Sequence, residues 1–306
     1  MSEPKISVSM IVKNEQAMLA SALETVKEAD EIVICDTGSE DDTVEIAKKY
    51  TDKVYTDYQW EDHFAKARNH SLSKCTGDWV LIIDADEQLI DSFSRVRDAI
   101  KIAEEKGCHF VKVRTLAVDG SSSNMFPRIF KRIPEIKWYG PAHNYLADES
   151  RPIPPEHISD IVIKYGYSPA HKLDPDRTLR ILSESFEKGE ASSREIFYLA
   201  REYYYRKDYR RCIEFVDKYN ENPGWRGEAA EAWLMKSRCH WFLKEGEEAR
   251  LACMRAIYTN PDFKEAFVLM SEMNYEPRKS KWLLYSKLAD SKDDILFVRD
   301  MSNAYK

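Results

Sequence analysis

Glycine and proline are scarce in this 306-residue chain, at 10 and 12 residues, which excludes a collagen-like or low-complexity polypeptide. Long apolar runs are missing as well. No stretch approaches the roughly 20 residues that a helix needs to cross a bilayer, so an integral membrane protein is not expected. Met1-Ser2-Glu3-Pro4-Lys5 places no basic segment ahead of the first apolar run, and no secretory leader is expected. The six cysteines (Cys35, Cys75, Cys108, Cys212, Cys239 and Cys253) form no CxxC pair. That argues against a zinc site and fits buried thiols in a reducing cytoplasm. Basic excess is lacking too: the net charge is −7, with −8 carried by residues 1–150 and +1 by the remainder. An acidic front half argues against a general grip on nucleic acid, although a local patch stays open.

What is present is enough apolar material, 43% of the chain, for about two domains. In the first half, short apolar runs alternate with helical spacing. Ile6 to Val12 is a β-branched strand pattern, and Met18, Leu19, Ala22, Leu23 and Val26 make a helical stripe across residues 15–28. Ile32 to Cys35 is a second strand, followed by a helix that Asp41 or Asp42 is placed to cap. Val54-Tyr55, residues 62–74 and Trp79 to Ile83 read as strand, helix and strand. Buried strands separated by helices imply a parallel sheet covered on both faces. Residues 108–117 alternate like a half-exposed strand. The loop 119–123 follows, then two short strands within 126–146, an irregular stretch at Pro152, Pro154 and Pro155, and a last strand-like run from Asp160 to Tyr165.

From about residue 174 the pattern is helical and repeats. Ala200, Met235 and Met270 recur at a spacing of 35, each preceded by leucine, and Asn222-Pro223 and Asn260-Pro261 close two units. This resembles tetratricopeptide repeats, which bury their faces against neighbours and leave a concave surface. The basic, tyrosine-rich stretch 201–211 fits a repeat helix with its rings turned inward better than a nucleic-acid patch.

In a parallel sheet, ligands bind beyond the carboxyl ends of the strands. Three clusters end strands: Lys13-Asn14-Glu15, Asp36-Thr37-Gly38-Ser39 and Asp84-Ala85-Asp86-Glu87. Any one alone is an ordinary turn or helix start. Together they predict a shared rim. Two carboxylates two residues apart at the end of a buried strand need a counter-charge, and a divalent cation that in turn attracts a diphosphate supplies one. Arg68, in Phe64-Ala65-Lys66-Ala67-Arg68-Asn69, is placed either to neutralise phosphate or to hold a rim carboxylate.

The ordered set SMIVKNE, VICDTGSEDDT, FAKARNHSL and GDWVLIIDADE resembles the family 2 glycosyltransferases over roughly residues 5–150. The resemblance implies an α/β, Rossmann-like nucleotide-diphospho-sugar transferase fold of the GT-A type. It also implies a usually inverting reaction and a usual need for Mg²⁺ or Mn²⁺. The helical tail is similar to that of bacterial glycosyltransferases fused to tetratricopeptide repeats, a group that includes enzymes acting on a peptide cysteine. The expected division is residues 1–170 as the transferase domain and 171–306 as an all-α repeat domain.

Residue by residue, the resemblance gives Val12 and Glu15 to the nucleoside, through backbone and ribose. It gives Asp36 to the base and Arg68 to base and ribose. Within the Asp84-Ala85-Asp86 donor-binding motif, Asp84 faces the nucleoside or sugar and Asp86 ligates the metal that bridges to the diphosphate. His143, in Trp138-Tyr139-Gly140-Pro141-Ala142-His143-Asn144, matches a further metal or phosphate ligand. Asn144 stands where relatives carry glutamate, and an amide cannot act as a general base. Asp119, Asp148 and Glu149 are alternative bases by location, and an acceptor such as a thiol needs little help to ionise.

These readings imply a cytoplasmic hexosyltransferase-like enzyme with a UDP-sugar donor. Its acceptor is a peptide side chain, a saccharide or a modified DNA base. The repeats are placed to hold the acceptor, bind a partner or build a homo-oligomer. The rival expectations are a non-catalytic repeat scaffold on a vestigial domain and a nucleotidyltransferase that uses the same carboxylates.

Overall fold

A computed structural model describes residues 3–120, 122–151, 154–166, 168–169 and 174–289. Ser121 of the serine loop and Pro152 of the irregular stretch lie outside the described residues. The chain divides into two units, Met1–Pro175 and Asp176–Lys306.

The first unit runs β1 (Ile6–Val12), α1 (Leu19–Glu24), β2 (Glu31–Asp36), α2 (Thr43–Ala47), β3 (Val54–Tyr55), α3 (Phe64–Lys74) and β4 (Trp79–Ile82). It continues with β5 (Glu87–Leu89), α4 (Phe93–Glu105), β6 (Phe110–Ala117), β7 (Ser123–Lys131), β8 (Ile136–Tyr139), β9 (Tyr145–Asp148) and β10 (Glu156–Tyr165). The main sheet has the order β3-β2-β1-β4-β7-β6-β10-β5, and β8 pairs with β9 separately. Both faces of β1 are buried: Ile6, Val8 and Met10 on one side, Ser7 and Ser9 on the other. One apolar cluster joins β1 and β4 to Leu19, Leu23, Phe93, Val96 and Ile100. A second, around Val33, Val80, Ile82, Phe130 and Trp138, fills the opposite face.

The sheet is mixed rather than parallel. The pairs β1–β2, β2–β3, β1–β4 and β6–β10 are parallel, whereas β4–β7, β6–β7 and β10–β5 are antiparallel. The short connection after β6 turns the chain straight back, and so short a link permits only antiparallel pairing. The resulting β7 starts at Ser123, earlier than the composition suggests, and includes Pro127. Proline is tolerated there because the β6–β7 register shifts between Val111 and Lys112, whose partners are Ile129 and Pro127. Arg128 is the extra residue of that bulge. The helix expected over 15–28 is also shorter, since Thr25, Val26 and Ala29 make tight i−3 bonds beyond α1.

The second unit holds α5 (Arg177–Glu187), α6 (Ser193–Tyr205), α7 (Tyr209–Glu221), α8 (Arg226–Phe242), α9 (Gly246–Thr259), α10 (Lys264–Glu272) and α11 (Arg278–Leu288). Leu199-Ala200, Leu234-Met235 and Leu269-Met270 are all buried and fall on α6, α8 and α10. Asn222 and Asn260 are the C-caps of α7 and α9. Helix α6 opens with a reciprocal capping box between Ser192 and Glu195. Tyr203 and Tyr204 of the basic stretch pack inward, while Arg206 pairs with Glu202 and Asp176 and Arg210 pairs with Glu245. Among the described residues no helix is long and apolar enough to cross a membrane.

Candidate functional site

The carboxyl ends of β2, β1 and β4 lie side by side, because β1 pairs in parallel with both neighbours. β1 is also where the strand order reverses, the place at which an open sheet leaves a crevice. Val12 lies opposite Asp36 in register, and both the amide and the hydroxyl of Thr37 donate to the Val12 carbonyl, at 2.9 and 3.0 Å.

Two loops build one wall. Asn14 takes φ +56°, a left-handed conformation that asparagine tolerates better than most residues. Its side-chain oxygen accepts from Glu40 N at 2.8 Å, and its own amide donates to Ser39 Oγ at 2.9 Å. The Asp36 carboxylate accepts from Gly38 N and Ser39 N, both at 3.0 Å, and from the Ser39 hydroxyl. Gly38 sits at φ +103°, where a side chain would be strained. Three of about four lone-pair positions of Asp36 are thus used by its own turn. The amide of Glu15 donates to Thr43 Oγ1 at 2.7 Å.

Glu15 itself is buried, and its carboxylate accepts from the Ser168 hydroxyl at 2.6 Å. Burial pushes Glu15 up to about 7. The Ser168 bond opposes that rise, and the nearby charges of Asp86, Asp84 and Asp41 add to it.

The other wall is the Asp84–Glu87 turn. Arg68 Nη2 donates to both oxygens of Asp84, at 2.9 and 3.2 Å, and its guanidinium lies over the Trp138 ring at 4.9 Å. Asn69 holds that ring's strand in place: its amide group donates to Trp138 O and its oxygen accepts from Trp138 N, each at 2.9 Å. Arg128, turned in by the bulge, donates to Glu87 Oε1 at 2.5 Å and stands 3.7 Å from Asp84 Oδ2. Glu87 in turn accepts from the Asp84 amide at 2.9 Å. Burial pushes Glu87 upward against the pull of Arg128. The Ala85 side chain belongs to the apolar core, so only its backbone faces the rim. Arg128 and Ser168 are not among the residues that the sequence pattern singles out, and Glu87, part of the expected rim cluster, is engaged by Arg128. The only signal for the first was a proline in a strand pattern, which marks a bulge.

His143 lies in the β8–β9 loop at φ +47°, a costly conformation for a residue other than glycine. Phe64 N, at the start of α3, donates to Pro141 O of that loop at 2.8 Å. Of the three base candidates, Asp119 follows β6 at the rim end. There Val118 N bonds Tyr165 O at 3.0 Å and Gly166 N bonds Asp86 O at 2.9 Å. Asp148 and Glu149 are not brought to this rim. Asp148 is buried against His109, at the opposite end of β6, with Nδ1–Oδ2 at 2.6 Å. Its pKa is lowered: the Ser150 and His109 bonds outweigh the effect of burial. Glu149 is bonded to Tyr139 and Lys137 on the hairpin.

The donor set suits a hard cation. Glu15, Asp84, Asp86 and Glu87 place four carboxyl groups within electrostatic reach of one another, of which Asp84 is paired with Arg68 and Glu87 with Arg128. Among the described residues no three His, Cys, Asp or Glu side chains are grouped to hold a metal ion unaided. Such a set matches an ion that takes one or two carboxylates and completes its shell with substrate phosphate and water.

Residues 7–157 match the family model described as glycosyl transferase family 2. A TPR repeat-containing protein of Synechococcus elongatus is 35% identical over 147 residues, covering 47% of this chain and 36% of that protein. The SPbeta prophage-derived glycosyltransferase SunS of Bacillus subtilis is 23% identical over 232 residues, covering 72% of this chain and 54% of SunS. The chain spans about half or less of the length of these curated relatives. Residues 1–349 of S. aureus TarS, solved in complex with UDP, superpose with a TM-score of 0.46 at 16% identity, covering 89% of this chain and 93% of that one.

Proposed function

We propose that this chain, whose residues 7–157 carry a glycosyl transferase family 2 domain, transfers a sugar from a UDP-sugar to a nucleophilic acceptor with inversion at the anomeric carbon. The observation that carries the reading is the meeting, at the ends of three adjacent strands, of the nucleoside-side residues Val12, Glu15 and Asp36 with the Arg68–Asp84 pair. The donor domain is taken as residues 1–170 and the repeat domain as 171–306. The free, buried cysteines favour the cytoplasm as its compartment.

In this reading the remaining lone pair of Asp36 accepts from the uracil ring and Glu15 accepts from ribose hydroxyls. Arg68, held flat by Trp138 and paired with Asp84, borders base and ribose and offsets charge that builds on the departing diphosphate. Asp86 and His143 would hold Mg²⁺ or Mn²⁺, which when bound supplies positive charge to the diphosphate. Asp119, at the rim beside Val118 and Gly166, takes the acceptor proton as the new bond forms. A peptide side chain, a saccharide or a modified base fits the acceptor role.

The test is slow hydrolysis of UDP-sugars by the full chain with Mn²⁺. Asp86→Ala is expected to abolish it. Asp119→Asn is expected to lower turnover on a true acceptor about 100-fold, the size of a lost general base. If a panel of UDP-sugars with Mn²⁺ neither raises the melting temperature nor releases UDP, the donor assignment is wrong.

A further inference from the structure

The described residues that follow β10, Gly166 and Ser168, lie on the rim of the candidate site. After β10, Tyr165 O accepts from Val118 N at 3.0 Å, Gly166 N donates to Asp86 O at 2.9 Å, and the Ser168 hydroxyl donates to Glu15 Oε2 at 2.6 Å. Three contacts within four residues therefore tie these residues to the turn after β6, the Asp84–Glu87 turn and the end of β1. A Cβ placed on Gly166 would lie 3.8 Å from both Asp86 O and Met18 Cε and 4.0 Å from Val118 Cγ2, so these three elements converge there.

Ser168 is 1% exposed and Glu15 8% exposed. A hydrogen bond to a buried carboxylate fixes which way its oxygens point and favours its charged form. We propose that Ser168 is a positioning residue of the donor site: its hydroxyl fixes one oxygen of Glu15, so that the other is presented to the ribose of the nucleotide. The proposal rests on the donor reading above and adds to it a residue 153 positions away in sequence, beyond β10.

The experiment is calorimetric titration of the full chain at constant Mn²⁺ with UDP, 2′-deoxy-UDP and 3′-deoxy-UDP. Wild type should bind UDP more tightly than at least one deoxy analogue. Ser168→Ala should weaken UDP about tenfold, the scale of one hydrogen bond to a charged group, while leaving the disfavoured analogue nearly unchanged. Because position 168 is buried, Ser168→Thr and Ser168→Val form the control pair. The two side chains share a shape, and only threonine keeps a hydroxyl, so threonine should retain the preference for UDP and valine should lose it. Equal loss of UDP and deoxy analogues, or no difference between threonine and valine, overturns the proposal while leaving the donor reading standing. A wild type that does not bind UDP removes both, at a different arm of the same experiment.

Discussion

Asp84 shares its carboxylate between Arg68 and Arg128, and Arg128 in turn neutralises Glu87, whose side chain is only 4% exposed. Removing one partner of a buried pair strands the other charge. Arg128→Met is therefore expected to cost about 3 kcal/mol in urea denaturation and to lower donor hydrolysis more than tenfold. The double variant Glu87→Gln/Arg128→Met should regain most of the stability and little of the activity, because Asp84 still lacks its second guanidinium. Recovery of both together would mean that Arg128 serves folding alone. Asp36, Asp84 and Asp86 were legible in sequence because each stands at or just past the end of a strand whose apolar run is unmistakable, and Arg68 because it lies on the helix that leads into the last of them. Arg128 was not, since its direction depends on a one-residue register slip that no periodicity displays. Ser168 was invisible for another reason: its partner is fixed by tertiary geometry alone.

Strands β1 and β4 pack so closely at their amino ends that one residue between them has no room for a side chain. A Cβ on Gly77 would stand 2.7 Å from Ser7 Oγ, 2.8 Å from Ser7 N and 2.9 Å from Lys5 O. Two of those atoms are backbone and cannot move aside. Gly77→Ala should accordingly cost about 2 kcal/mol, read as a lower denaturation midpoint. Gly189→Ala is a poor comparison, because its φ of +72° adds strain without any clash; Gly246→Ala, at an ordinary φ and with 3.6 Å to Arg250 Nη1, is the better control. At this scale the sequence was most readable where burial is two-sided. β2 and β4 are continuous apolar runs, β1 an apolar run broken only by the buried Ser7 and Ser9, and all three were expected within a residue or so. β7 was less readable, because it is a partly exposed strand interrupted by proline, and the mixed sheet follows from its reversal rather than from any composition. The helices of the second unit were readable because their buried Leu-Ala and Leu-Met pairs recur at a fixed interval.

Two separately cored units predict two unfolding transitions with different sensitivities. Glu231, on α8, is 1% exposed, and neither of its carboxylate oxygens has a hydrogen-bond partner. Burial pushes it up to about 7, against the pull of Arg238 and Arg201 and with Glu265 adding to the rise. In the unfolded chain a glutamate titrates near 4.5. Between those values the folded unit holds a proton that the unfolded chain has released. The contribution of Glu231 to stability is therefore full below about 4.5 and falls as pH rises toward about 7, by up to roughly 3 kcal/mol. Glu228 and Glu195, also raised by burial, work in the same direction. The transition of the second unit should move to lower temperature across that window, and Glu231→Gln should flatten the dependence. UDP with Mn²⁺ at about 100 times its dissociation constant should instead stabilise the first unit by about 2.7 kcal/mol. A scan at several pH values, with and without UDP, separates the two effects: at each pH the nucleotide should shift the first-unit transition in wild type and Glu231→Gln alike, while the two proteins should differ only in how far pH moves the second-unit transition, which Glu228 and Glu195 leave partly pH-dependent in the variant. If UDP moved both transitions equally, binding would not be confined to the first unit, and the assignment of the donor site to the ends of β1, β2 and β4 would fail.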